Sequence, residues 1–168
     1  MYGPRGSESM KAYMLQQYSY HMWANEQVFR HVESLPAEVF LKEVQLGFSS
    51  VAEAMAHILA VDEIWFARLK GESPGGLATT SFTSVRQAAQ SFRQLLQENL
   101  DYLKEQEDFH RIVSYKSIKG EPFHNTVVEI IQQVVNHGTY HRGNITTLLR
   151  SQGYKGAVTD YVAFLRAK

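Results

Sequence analysis

The chain has 168 residues, 44% of them hydrophobic and 12% aromatic, with 17 basic side chains balanced by 17 acidic ones and no cysteine. That length can bury a sizeable core in one domain, and the even charge gives no general attraction to phosphate backbones or anionic lipid, so neither nucleic acid nor a membrane is expected as a partner. Without cysteine there is no disulfide framework, thiolate ligand or cysteine nucleophile, so a metal site has to be built from His, Asp and Glu.

The opening "MYGPRGSES" is small and polar with no apolar stretch behind it, so no signal peptide is expected and the location read from it is cytoplasmic. A single helical domain over residues 1–168 is expected, with residues 1–9 flexible. The first helix is predicted from about Met10 to Ser34, with Leu15, Tyr18, Met22, Val28 and Val32 as its apolar stripe and Pro36 beyond its end. A short turn is expected in "PAEVFLKE". The second helix opens with "SVAE", Ser50 to Glu53, a serine with glutamate three residues on, the pattern of a reciprocal capping box. Its stripe is Val51, Ala54, Ile58, Val61, Trp65 and Leu69, and Gly71 stands where a left-handed terminator belongs.

"GESPGGLATTSF" then reads as a loop. The third helix starts at "SVRQ", Ser84 to Gln87, and is predicted to run to about Glu107. In "HRIVSYKSIKGEPFHN", residues 110–125, Val113 and Tyr115 alternate with polar residues and Lys119-Gly120 offers a turn, which predicts a small hairpin. The fourth helix opens with "TVVE", Thr126 to Glu129, and should stop near Gly153. The tail "AVTDYVAFLRAK" is apolar enough to pack back on the body. The fold class is all-α: a four-helix up-down bundle with a small β-hairpin inserted before the last helix.

Seven histidines punctuate this pattern: His21, His31, His57, His110, His124, His137 and His141. His31, His110 and His124 read as surface or interface residues. His57 lies on the apolar stripe of the second helix, where a hydrogen-bonded core-edge histidine is the ordinary explanation. His137 and His141, in "NHGTYHRGN", sit i and i+4 on the stripe that also carries Val134, Ile145 and Leu148. Their Cβ atoms should lie about 6 Å apart, close enough for both imidazoles to converge on one ion or to line a polar cavity. Facing helices of a bundle can supply a third inward ligand, and His57 is the candidate. Gly138 and Gly143 each cost about 1 kcal/mol against alanine in a helix interior. Either a close neighbouring helix or a path to the site would account for them.

Three segments, "HILAVDEIWFARL", "YHMWANEQV" and "VVNHGTYHRGNITTLLRSQG", together resemble the DinB family, part of the DinB/YfiT-like superfamily. The resemblance implies an up-down four-helix bundle, a homodimer, and a divalent metal held by three histidines at the positions of His57, His137 and His141. One ion per chain is expected, Zn²⁺ or Ni²⁺ first and Fe²⁺ or Mn²⁺ next. The family usually has asparagine where this chain has His21 and often histidine where it has Gln133. His21 is therefore open as an additional ligand or substrate contact, although partial exposure on the first helix is the simpler expectation. An ion held by three imidazoles can lower the pKa of bound water from about 15.7 to about 7 or bind a thiol as thiolate. The function expected is a metal-dependent hydrolase or thiol-dependent transferase acting on a small molecule, with a low-molecular-weight thiol as one candidate substrate. The alternative is a non-catalytic stress protein with a structural or sensory ion. Asp62, Glu63 and Asp160 are candidate supporting carboxylates, and no residue declares itself as the general acid or base.

Overall fold

The computed structural model describes residues 7–167. Of the stretch expected to be flexible, residues 1–6 lie outside the described residues, and Ser7 already opens a helix. The elements in chain order are α1 (Ser7–Glu33), a 3-10 turn (Ala37–Phe40), α2 (Val51–Leu69), α3 (Val85–Glu105), β1 (Ile112–Lys116), β2 (Pro122–Thr126), α4 (Val127–Ser151) and α5 (Tyr161–Arg166). The bundle and hairpin match the expected class. α3 ends two residues before the predicted Glu107, and Gln106 takes an extended conformation there.

Local hydrogen bonds explain the helix starts. Ser50 accepts from the Glu53 N–H at 3.1 Å and Ser84 from the Gln87 N–H at 3.2 Å, so both cap as their sequences require. The return half of the box differs. The Glu53 carboxylate reaches one residue further back, accepting from the Ser49 N–H and hydroxyl at 2.6 and 2.8 Å. The Gln87 amide oxygen likewise accepts from Thr83 at 2.8 and 3.0 Å. Only Thr126 and Glu129 close a full box, the Thr126 N–H donating to the Glu129 carboxylate at 2.8 Å. Gly71 and Gly153 terminate α2 and α4 with φ of +89°, a conformation that glycine adopts without steric cost.

In the hairpin, Ile112 pairs with Thr126 and Lys116 with Pro122. Val113 and Tyr115 turn inward on α2 as the alternation predicted, and the Arg68 guanidinium sits 4.5 Å from the Trp65 ring and 4.8 Å from the Tyr115 ring.

α1 packs against α3 and α4, and α2 packs against the same two, which leaves α1 and α2 across a diagonal. Core residues come from all four long helices, among them Tyr18, Phe29, Ile58, Phe66, Phe92, Leu103, Ile131 and Ile145. The tail packs back as expected: Phe164 is buried 5.8 Å from both Tyr20 and Trp23, and Tyr20 donates its hydroxyl proton to the Thr159 carbonyl at 2.9 Å. No helix among the described residues is long and apolar enough to cross a membrane.

Candidate metal centre

α2 and α4 are direct neighbours, and their packing brings His57 to the level of His137 and His141. One ring nitrogen from each of the three lies within 4.8 Å of the others. Ring centroids are 4.3 Å apart for His137 and His141, 4.6 Å for His57 and His141, and 5.0 Å for His57 and His137. His57 Nε2 and His137 Nε2 approach to 3.1 Å. Two nitrogens bound to one tetrahedral Zn²⁺ at about 2.0–2.1 Å stand about 3.3–3.4 Å apart, so the pair has nearly the spacing of a shared ion.

The protonation chemistry agrees. Burial depresses the His137 imidazole to about 3, with His141, His57 and His21 adding to the effect. It depresses His141 to about 4, again with help from His57. His57 is lowered by burial too, against the opposing pull of the Glu53 carboxylate. All three are therefore uncharged at neutral pH, the form that ligates metal. His137 Nδ1 is buried without a hydrogen-bond partner among the described residues. The Asn144 amide lies 3.1 Å from His141 Nδ1. The contacting atom is the amide nitrogen, which donates to Nδ1 and so fixes the orientation of the ring. By donor set, charge state and spacing, the three residues fit a divalent ion.

One side of the cluster is open. His141 lines a cleft of about 360 Å³ with Phe48, Tyr140, Asn144, Thr147 and Leu148. Phe48 stands over the cluster, its ring 5.5 Å from His57 and 5.2 Å from His141, and Tyr140 meets His141 edge-on at 4.9 Å. Sequence reasoning did not single out Phe48, Tyr140 or Asn144. Asn144 follows His141 by three residues and so shares its helix face, a signal that was available; Phe48 sits in the loop before α2 and carries none.

The DinB family pattern matches residues 9–168. The chain belongs to the DinB family. It is 31% identical over 164 residues to Protein DinB of Bacillus subtilis (strain 168), covering 93% of this chain and 95% of that one. The crystal structure of a DinB-like protein from Bacillus cereus ATCC 10987 superposes with a TM-score of 0.66 at 19% identity, covering 86% of this chain and 94% of the other, a likeness of fold.

The remaining candidates of this DinB-family chain are placed as follows. His31 Nε2 contacts the Lys155 carbonyl at 2.7 Å, while exposed His124 pairs with the Ser114 hydroxyl at 2.9 Å and His110 is exposed, in keeping with surface and interface roles. Gln133 is exposed on α4. Asp160 is exposed at the start of α5, and Glu63 is half-buried, its carboxyl pushed up by burial and by Asp62. His21 departs most from expectation. It is not partly exposed but fully buried, and it stands outside the three-histidine group. Its Nε2 lies 2.8 Å from Asp62 Oδ2, itself fully buried. The reason is Gly138: a Cβ there would lie 2.6 Å from His21 Nδ1 and 2.8 Å from an Arg142 guanidinium nitrogen. The missing side chain makes the notch into which the His21 ring fits. Gly143 has open space where its Cβ would be, so close packing does not explain it.

Proposed function

We propose that this DinB-family chain holds one divalent ion on His57, His137 and His141 and acts on a small molecule in the adjoining cleft, as a metal-dependent hydrolase or thiol-dependent transferase. What supports this is the convergence of three uncharged imidazoles beside an open cleft that His141 itself lines. A bound ion would supply Lewis acidity there, lowering the pKa of a water or substrate thiol. The protein's own contribution is to hold the imidazoles neutral by burial, to orient His141 through Asn144, and to shield one side with the Phe48 and Tyr140 rings. The three-imidazole donor set suits Zn²⁺, Ni²⁺, Cu²⁺ or Fe²⁺.

A structural or sensory ion is the second reading. It is favoured by the lining of the cleft, which contains no carboxylate to take a proton, while the nearby Glu53 is engaged with Ser49. Elemental analysis of the purified protein beside the His57→Ala variant tests the common part of both readings: one ion per chain, lost in the variant, is the expected outcome. Absence of metal from both after incubation with Zn²⁺ or Ni²⁺ would sink it. Metal-dependent turnover of ester, amide or thiol-transfer substrates then separates catalysis from a structural ion.

A further inference from the structure

Beside the three histidines lies a second polar assembly, buried between the helices. His21, Asn25, Asp62 and Arg142 come from α1, α2 and α4 and are at most 2% exposed. Asp62 meets His21 across the bundle diagonal at 2.8 Å. Arg142 donates to Asn25 Oδ1 at 3.1 Å and to the Thr139 hydroxyl at 3.0 Å, and it lies 3.4 Å from His21 Nδ1. Its guanidinium also stands 5.6 Å from the Tyr20 ring centroid.

We infer that this layer sets the register of α4 against α2 and so positions His137 and His141 opposite His57. The inference rests on the reading of those three residues as metal ligands. Apolar packing between α2 and α4 is non-directional and tolerates small slides, whereas a metal site has to hold its ligands within about 0.5 Å of their productive places. The layer supplies the missing direction. On α2, Asp62 follows His57 by little more than a turn; on α4, Arg142 directly follows His141. Both are tied to the same stretch of α1, where His21 and Asn25 are one turn apart. The His21 ring also fills the notch at Gly138, the residue after His137. Each ligand-bearing helix is thus referenced to a common point on a third. Stability alone is a weak account of the arrangement, because buried charged groups replaced by apolar side chains of similar size often leave a fold as stable or more so. Register is the property that apolar replacements would not restore. His21, Asp62 and Arg142 are positioning residues on this view, and none of them ligates the ion.

The test uses full-length protein and the metals alone. The triple variant His21→Leu, Asp62→Leu, Arg142→Met removes every charged member of the layer and keeps all three ligands. Zn²⁺ affinity is measured by chelator competition, the visible spectrum of the Co²⁺ form reports ligand geometry, and thermal unfolding reports stability. The expected result is a folded protein whose Zn²⁺ affinity is weaker by about 10- to 100-fold, with an altered Co²⁺ spectrum. If the triple variant fails to fold, Arg142→Lys serves. It keeps the charge but lacks the planar fork that reaches both Asn25 and Thr139, and a smaller change in the same direction is expected. Unchanged affinity and spectrum in a folded variant would overturn the positioning role while leaving the metal reading intact. No Zn²⁺ or Co²⁺ binding by the wild type would overturn both.

Discussion

The two histidine assemblies of this bundle lie one residue apart in sequence, at His137 and Gly138, yet they face opposite conditions. The cluster of His57, His137 and His141 borders a cleft, has a ring nitrogen without a protein partner, and is packed against aromatic rings. His21 is sealed in the core with a carboxylate on one side and a guanidinium on the other. The same side chain thus serves two purposes. Flanked by a carboxylate and a guanidinium the ring is built into the core; grouped with two other imidazoles beside a cleft it is a candidate ligand.

That contrast can be broken most forcefully at Asp62. Asp62→Ala removes the carboxylate buried 2.8 Å from His21 Nε2 and with it the acidic charge that supports the buried Arg142 guanidinium from a distance, and a loss of about 3–5 kcal/mol is expected in urea unfolding. Burial already pulls this guanidinium below its ordinary value, with the Tyr20 hydroxyl and Asp62 opposing. His57→Ala, by comparison, removes a half-buried residue whose partner would be an ion, and the metal-free variant should unfold close to metal-free wild type. Equal losses for the two substitutions would erase the distinction.

The glycines give the next largest effect. Gly138→Ala forces a methyl group against His21 and Arg142 and should cost about 1–3 kcal/mol. Gly143→Ala meets open space and should stabilise the helix by about 1 kcal/mol. Opposite signs in thermal melts of the two variants are the expected outcome. Matching signs would show that the notch is not what Gly138 provides.

A gentler comparison comes from pH on metal-free protein. With His137 at about 3 and His141 at about 4, both below the ordinary imidazole value of about 6.5, the unfolded chain takes up protons that the folded chain refuses. Folding stability should therefore fall as pH drops below about 6.5, and the histidine contribution to that fall should end near the folded values. His137→Asn should flatten the slope over that window in a pH series of melts. An unaltered slope would mean that these imidazoles are not held neutral by the fold.

Much of this was legible in the chain itself, for reasons that can be named. Helix starts followed from short polar signals, and α4 was placed to the residue by Thr126 and Glu129. Within α4 the metal-binding candidates stood out because two histidines interrupted an otherwise apolar stripe. α1 misled for the converse reason. Its buried face includes His21 and Asn25, polar residues that a hydrophobicity pattern assigns to solvent, so the stripe was drawn through half-buried Met22 instead of His21. Periodicity reports which faces are greasy, and a polar core layer is invisible to it until partners from other helices are known. Phe48 was unreadable for a different reason: its place over the histidines comes from the path of the loop before α2.

Thr126 ends β2 and caps α4 at once. No slack separates the sheet from the helix, and each residue of an α-helix turns about 100°. A residue inserted at the Lys119-Gly120 bend would lengthen only the bend. The same residue inserted between Thr126 and His137 would swing both imidazoles about a quarter-turn away from His57. Natural length variation among relatives should therefore collect at the bend and stop at Thr126, which makes the hairpin a ruler as well as a cover.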